Sequence, residues 1–147
     1  MKTDILFSTA SVEWETPQEL FDRLNEEFHF TLDPCATDEN HKCGRYYTKE
    51  QDGLKQDWSG ETVFCNPPYG KQYTTAWCKK CAMEAENPNT TIVLLIPSRT
   101  DTKHFHDYLY QKDNVEIRFI RGRLKYGGSD NSAPFPSLLA IFNKKNQ

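Results

Sequence analysis

A chain of 147 residues, 37% hydrophobic and 27% charged, is sized and composed for one globular domain with a real core, which excludes a disordered or two-domain protein. A net charge of −3 excludes a surface that clings to nucleic acid throughout, and the longest strongly apolar run, Ile92 to Pro97, falls far short of a membrane span. Met1-Lys2-Thr3-Asp4 lacks the apolar core of a signal peptide, and five cysteines, an odd number, suit a reducing compartment, so the expectation is a cytoplasmic protein.

Residues 1–13 read as an N-terminal arm of a single domain spanning 1–147. Thr16 and Pro17 then have the character of an N-cap and a first helical residue, and Leu20, Phe21, Leu24 and Phe28 recur at helical spacing behind them. The N-terminus of that helix is a place for an anion such as a carboxylate. Phe28 to Asp33 reads as a strand ending in Asp33-Pro34-Cys35-Ala36. A carboxylate at a strand's carboxyl end is where α/β folds contact ligands, and it serves equally well as the cap of the following turn. Thr37 to Gly60 is polar, with at most a short strand at Tyr46 and Tyr47, a turn at Asp52-Gly53-Leu54 and a loop at Asp57 to Gly60.

Thr62 to Asn66 is the next strand. The expected sequel is a helix over Lys71 to Asn87 closed by Pro88, with Tyr73, Ala76, Trp77, Lys80, Cys81 and Glu84 along one side. Thr91 to Pro97 reads as a strand buried on both faces, at the centre of the sheet. Asp101 to Gln111 reads as a helix, Val115 to Ile120 as a strand, Gly122 to Pro136 as a loop and Ser137 to Phe142 as the last strand. The order is α/β, and the closely spaced final strands predict an antiparallel pair at one edge. Cys78 and Cys81 lie within a helical pattern and without a second close pair, which argues against zinc; they read as packed or surface thiols. His104 and His106, two apart on a helix, point to different faces and share no metal. No metal site is expected.

The chemistry concentrates in Asn66-Pro67-Pro68-Tyr69. Consecutive prolines cannot continue a strand or sit within a helix, so the chain leaves its strand at Asn66 in a rigid extended turn. An exocyclic amine offers two N–H donors, and the Asn66 side-chain oxygen and the Pro67 carbonyl are two acceptors in fixed relation. Held from both sides, the amine is positioned and its lone pair concentrated, while the ring of Tyr69 can stack on a heterocycle. The alternative is a turn closing a strand with Tyr69 merely packed. Arg118, Arg121, Arg123 and Lys125 form a basic stretch without an acidic residue between Ile117 and Ser129, as suits transient DNA contact or a guarded strand edge.

Asn66-Pro67-Pro68-Tyr69 resembles the catalytic tetrapeptide of amino-group methyltransferases that use S-adenosylmethionine. With Trp14-x-Thr16-Pro17, Leu32-Asp33-x-x-Ala36, Asn40, Arg45-Tyr46-Tyr47, Asp52-Gly53-Leu54, Trp58, Leu95-x-Pro97 and Gly122-Arg123-Leu124, the chain from about residue 12 to 143 is similar to the small phage-type DNA adenine N6 methyltransferases (Dam-type). The resemblance implies a compact, trimmed Rossmann-like methyltransferase sheet, methyl transfer to adenine N6 by base flipping, and a phage or prophage origin. It implies catalytic roles for Asn66, Pro67, Pro68 and Tyr69. It implies cofactor contacts at Thr16 and Pro17, at Asp33, Pro34, Cys35 and Ala36, and at either Asp52 or Asp57. Arg121, Arg123 and Lys125 are the candidates for DNA contact. The alternatives are the same fold acting on cytosine N4, RNA or a protein glutamine, and a DNA-binding module without catalysis.

Overall fold

A computed structural model describes residues 14–127 and 132–145; the predicted arm at 1–13 lies outside the described residues. In chain order the elements are α1 (Gln18–Phe28), β1 (Leu32–Ala36), β2 (Arg45–Thr48), a 3₁₀ turn (Gly53–Lys55), β3 (Thr62–Cys65) and α2 (Lys71–Glu84). There follow β4 (Thr91–Pro97), a π-helical turn (Phe105–Leu109), β5 (Val115–Phe119) and β6 (Ser137–Phe142). The strands form one mixed sheet in the order β2-β1-β3-β4-β6-β5.

The first four strands of that order run parallel, and β6 inserts antiparallel between β4 and β5. The expected antiparallel C-terminal pair is present. Every residue of β4 and β6 is buried, as continuous apolar runs covered on both faces must be. The return from β1 to its parallel neighbour β2 uses residues 37–44 alone, without a crossover helix.

Four sequence expectations are corrected. Strand β1 begins at Leu32 and carries on through Pro34, because a register shift between Asp33 and Ala36 removes the ladder bond that a proline cannot donate. Helix α1 starts one residue late: Pro17 is extended (ψ 131°) and is the cap position, with no side-chain capping bond from Thr16. Of the side expected along α2, Trp77 and Cys81 are buried, together with Thr74, Cys78 and, just beyond the helix, Ala85, whereas Tyr73 and Ala76 are exposed. Its end tightens into i→i−3 bonds, Glu86 N–H to the Met83 carbonyl and Asn87 N–H to Glu84, at 3.1 and 3.0 Å. The helix expected at Asp101 to Gln111 is reduced to the π turn, where Tyr110 N–H reaches the Phe105 carbonyl and both Phe105 and Leu109 enter the core. On this segment His104 is buried and His106 exposed.

Candidate active site

Three features converge at the carboxyl ends of β1 and β3: the bulged end of β1, the proline turn after β3, and the 3₁₀ turn. Gly53 makes the third possible. A Cβ there would stand 2.3 Å from the Pro34 carbonyl oxygen and 3.0 Å from the Trp77 ring, so only glycine lets the turn approach β1 so closely. The Trp58 indole N–H donates to the Gly53 carbonyl (3.1 Å) and pins the turn to the core. Between these walls opens a cleft of about 1520 Å³, above the 300–1,000 Å³ or so of a typical small-molecule pocket and roomy enough for a nucleoside-sized cofactor beside a base. Its lining includes Trp14, Thr16, Asp33, Pro34, Cys35, Ala36, Lys42, Asp52, Leu54, Asn66, Pro67, Pro68, Tyr69, Tyr73 and Trp77.

Asn66 is held at this cleft by its own amide. Both Nδ2 protons have acceptors, the Trp14 carbonyl at 2.5 Å and the Thr16 hydroxyl at 2.9 Å. The Trp14 carbonyl can only accept, so the amide nitrogen faces it and Oδ1 is turned the other way. Oδ1 accepts from the Tyr69 hydroxyl (2.6 Å) and keeps a second lone pair. No hydrogen bond to the Pro67 carbonyl is present among the described residues. Thr16 is buried, its hydroxyl committed to Asn66 rather than to a helix cap.

Tyr69 sits differently from the sequence expectation. It is 3% exposed, in edge contact with Tyr126 and Phe135, and its hydroxyl also lies 3.0 Å from the Leu95 carbonyl and 3.3 Å from Tyr126 Oη. Burial raises its pKa well above the ordinary value, so the hydroxyl stays a donor. At 3% exposure the ring leaves little free face for a base to stack on. Trp14 packs edge-on against the same two rings.

Asp33 is buried, and its two carboxylate oxygens accept from the backbone N–H of Cys35 (3.1 Å) and Lys42 (2.9 Å). Desolvation raises its pKa, opposed by these two bonds. The carboxylate therefore shapes the 33–42 loop along the cleft. Of the two acidic candidates, Asp52 lines the cleft, in a left-handed conformation (φ 57°) with Oδ1 accepting from Leu54 N–H. Asp57 is exposed, bonded to Ser59, and is not part of the lining. Pro17 lies outside the lining as well. Arg121, Arg123 and Lys125 are exposed and away from the cleft walls. Arg118 is bound to Glu27 and Glu116 and so drops out of the basic stretch.

The geometry at Asn66 leaves a carbonyl oxygen with a free lone pair at the cleft, and whole-chain comparisons show the family. A model of the family described as DNA N-6-adenine-methyltransferase (Dam) matches residues 7–144. The chain belongs to this family. The DNA N-6-adenine-methyltransferase of Haemophilus phage HP1 (strain HP1c1) is 32% identical over 140 residues, covering 90% of the present chain and 79% of the relative. That of Escherichia phage T1 is 33% identical over 113 residues, covering 76% of this chain and 45% of the longer relative. No described helix of this Dam-family chain is long and apolar enough to cross a membrane.

Several cleft residues escaped the sequence reading. Lys42, half-buried with its ammonium on Gln18 (2.7 Å), comes from a polar stretch without a motif. Behind the lining, Tyr126 backs Tyr69, its hydroxyl 2.9 Å from Ser137 Oγ and 3.3 Å from Tyr69 Oη, and comes from a segment that reads as a plain loop. The proximity of Tyr73 and Trp77 to the motif follows from helical spacing after Gly70, a signal present in the sequence. Among the described residues no group of three or more His, Cys, Asp or Glu side chains is arranged to hold a metal.

Proposed function

We propose that Asn66 and Pro67 receive the target amine between two carbonyl oxygens, Asn66 Oδ1 and the Pro67 main-chain oxygen, in methyl transfer to the exocyclic N6 of adenine in DNA. The overall activity follows from membership of the family: the chain is an adenine-specific DNA methyltransferase. The observation that carries the site reading is the Asn66 amide, with both N–H groups spent on Trp14 and Thr16 and only an oxygen left to meet a substrate. Such a group accepts and cannot donate, which suits an amine.

The cleft fits S-adenosylmethionine. Its close approach at Gly53, its apolar walls at Pro34, Ala36, Leu54 and Trp77, and its volume suit an adenosine moiety. Asp52 is the acidic residue on that wall for the cofactor's nucleoside. Asp33 to Ala36 and the ammonium of Lys42 are the residues toward its amino-acid end, beside Thr16, whose hydroxyl is committed to Asn66. The cofactor supplies an electrophilic methyl on a sulfonium centre. Asn66 Oδ1 and the Pro67 oxygen orient N6 and stabilise the positive charge that develops on it, so the gain is positioning with electrostatic help. Pro68 keeps the turn rigid. Tyr69 buttresses Oδ1 through its hydroxyl and offers the base what free face its ring has. Flipping the base out of the duplex costs a few kcal/mol, drawn from contacts elsewhere, for which Arg121, Arg123 and Lys125 are the exposed cations available. The parallel-then-antiparallel sheet order suits a trimmed Rossmann-like methyltransferase fold of a single domain; action in the cytoplasm is part of the reading and rests on the DNA substrate.

The test is transfer of a labelled methyl group from S-adenosylmethionine to unmethylated DNA, with nucleoside analysis of the digest. Label in N6-methyladenine is the expected result. Label in cytosine keeps the site and overturns the base, and absence of both label and cofactor binding overturns catalysis in favour of a binding module.

A further inference from the structure

The structure assigns Thr16 a role that cofactor contact does not describe: we propose that it is a positioning residue of the catalytic amide, holding Asn66 Nδ2 in the orientation that the Trp14 carbonyl selects, so that Oδ1 faces the substrate amine. The inference rests on the amine-acceptor reading of Asn66 and deepens it. An asparagine amide has two nearly isosteric ends, and a half-turn about its terminal torsion exchanges an acceptor for a donor. An Asn66 turned that way would present N–H groups to an amine and could not hold it. Nothing in Asn66-Pro67-Pro68-Tyr69 itself decides between the two orientations, because the Tyr69 hydroxyl can donate to Oδ1 or accept from Nδ2.

The decision is made some fifty residues away in sequence. Asn66 Nδ2 donates to the Trp14 carbonyl (2.5 Å) and to Thr16 Oγ1 (2.9 Å). The hydroxyl of Thr16 is 50 residues from Asn66 in the chain, so the amide is correct only when the 14–16 strap is docked across the cleft. That docking has its own support: Gly127 N–H donates to the Glu15 carbonyl at 2.8 Å, and the Trp14 ring packs on Tyr126 and Phe135. Thr16 is 4% exposed, so water cannot replace its oxygen cheaply if that oxygen is removed. The strap thus brings one side chain and one carbonyl to a single nitrogen, and the free oxygen lone pair toward the cleft is their consequence.

The experiment compares Thr16→Val, which keeps the shape and removes the acceptor, with Thr16→Ser, which keeps the acceptor. Two readouts are taken on the full chain: kcat and KM for S-adenosylmethionine at saturating DNA, and the side-chain ¹⁵NH₂ resonances of Asn66. The expectation for Thr16→Val is a kcat about ten-fold lower, the scale of one lost hydrogen bond, with KM within about two-fold. One Asn66 amide proton moves upfield and exchanges faster, and Thr16→Ser restores both. A Thr16→Val enzyme with unchanged kcat overturns the proposal, as does a loss confined to KM, which makes Thr16 a cofactor contact only. Unmoved Asn66 resonances overturn it whatever the kinetics. If the wild-type chain transfers no methyl group, the reading of function fails separately, and the resonances still decide whether Thr16 holds the amide.

Discussion

At the scale of single residues the site depends on what Asn66 can accept and on what its neighbours require of it. Asn66→Ala removes the acceptor facing the amine, and the expected loss of methyl transfer is about 100-fold or more, the magnitude seen when one preorganised polar partner is deleted. The thermal midpoint should stay within a few degrees, since Asn66 is only half-buried; an Asn66→Ala chain with normal turnover sinks the assignment. Asn66→Asp is the sharper test. A carboxylate keeps an acceptor toward the cleft but sets a second oxygen against the Trp14 carbonyl, now 2.5 Å from Nδ2, where two acceptors repel. The expectation is loss of activity with release of the strap, read as faster amide exchange at Gly127, whose N–H donates to the Glu15 carbonyl. Asn66 itself was legible in sequence, because Pro-Pro forces a strand exit and leaves one amide exposed at it. The partners of its nitrogen were not, since a contact across this separation leaves no periodicity.

Elements set the walls, and two of them carry predictions. Gly53→Ala puts a methyl 2.3 Å from the Pro34 carbonyl oxygen, a backbone atom that cannot rotate away, so the 3₁₀ turn must retreat from β1. Overpacking of this kind costs about 1–3 kcal/mol; a lower thermal midpoint together with weaker S-adenosylmethionine binding by calorimetry is the expected pair of results, and unchanged affinity would separate Gly53 from the cofactor wall. On the far edge, Arg118 on β5 ties to Glu27 on α1 at 2.7 Å and to Glu116 at 2.6 Å, over the Phe28 ring. Its hydrogen bonds hold both glutamates below their usual 4.5. A carboxyl pKa lowered by folding contributes stability above the unfolded value and loses it as the pH falls through the folded one. These groups are partly exposed, so Arg118→Gln should cost about 1 kcal/mol or less at neutral pH, and the difference from wild type should shrink as the pH drops below 4.5. Denaturant midpoints at a series of pH values measure this directly. The strands β4 and β6 were readable to the residue from unbroken apolar runs, whereas β1 and α2 were shifted or mis-faced. Pro34 hides a strand that a bulge makes possible, and α2 has apolar residues on too many sides for spacing to choose the buried one.

Across the whole molecule, the order β2-β1-β3-β4-β6-β5 brings the ends of β1 and β3 together at the cleft and sends the chain after β5 back over the site. From Phe119 onward that return is exposed at Phe119, at Arg121 to Arg123 and at Lys125, half-buried at Ile120 and Leu124, and buried at Tyr126. The outward face is cationic, and the inward face ends at the hydroxyl of Tyr126, 3.3 Å from that of Tyr69. Sequence alone made the cations visible and left them indistinguishable from a guarded edge, because charge spacing says nothing about what lies beneath. If the cations track the DNA backbone, each neutralises a phosphate and releases counterion, and the slope of log affinity against log salt changes by about 0.9 per cation lost. Replacing Arg121, Arg123 and Lys125 together by alanine should therefore flatten the slope by about 2.7, weaken binding at low salt more than at high, and leave kcat at saturating DNA near that of the wild type. Arg118→Ala supplies the internal control: bound to two glutamates, it should leave the slope unmoved. An unchanged slope in the triple variant returns the three cations to plain surface and requires the DNA to approach from the Tyr73 and Lys103 side of the cleft instead.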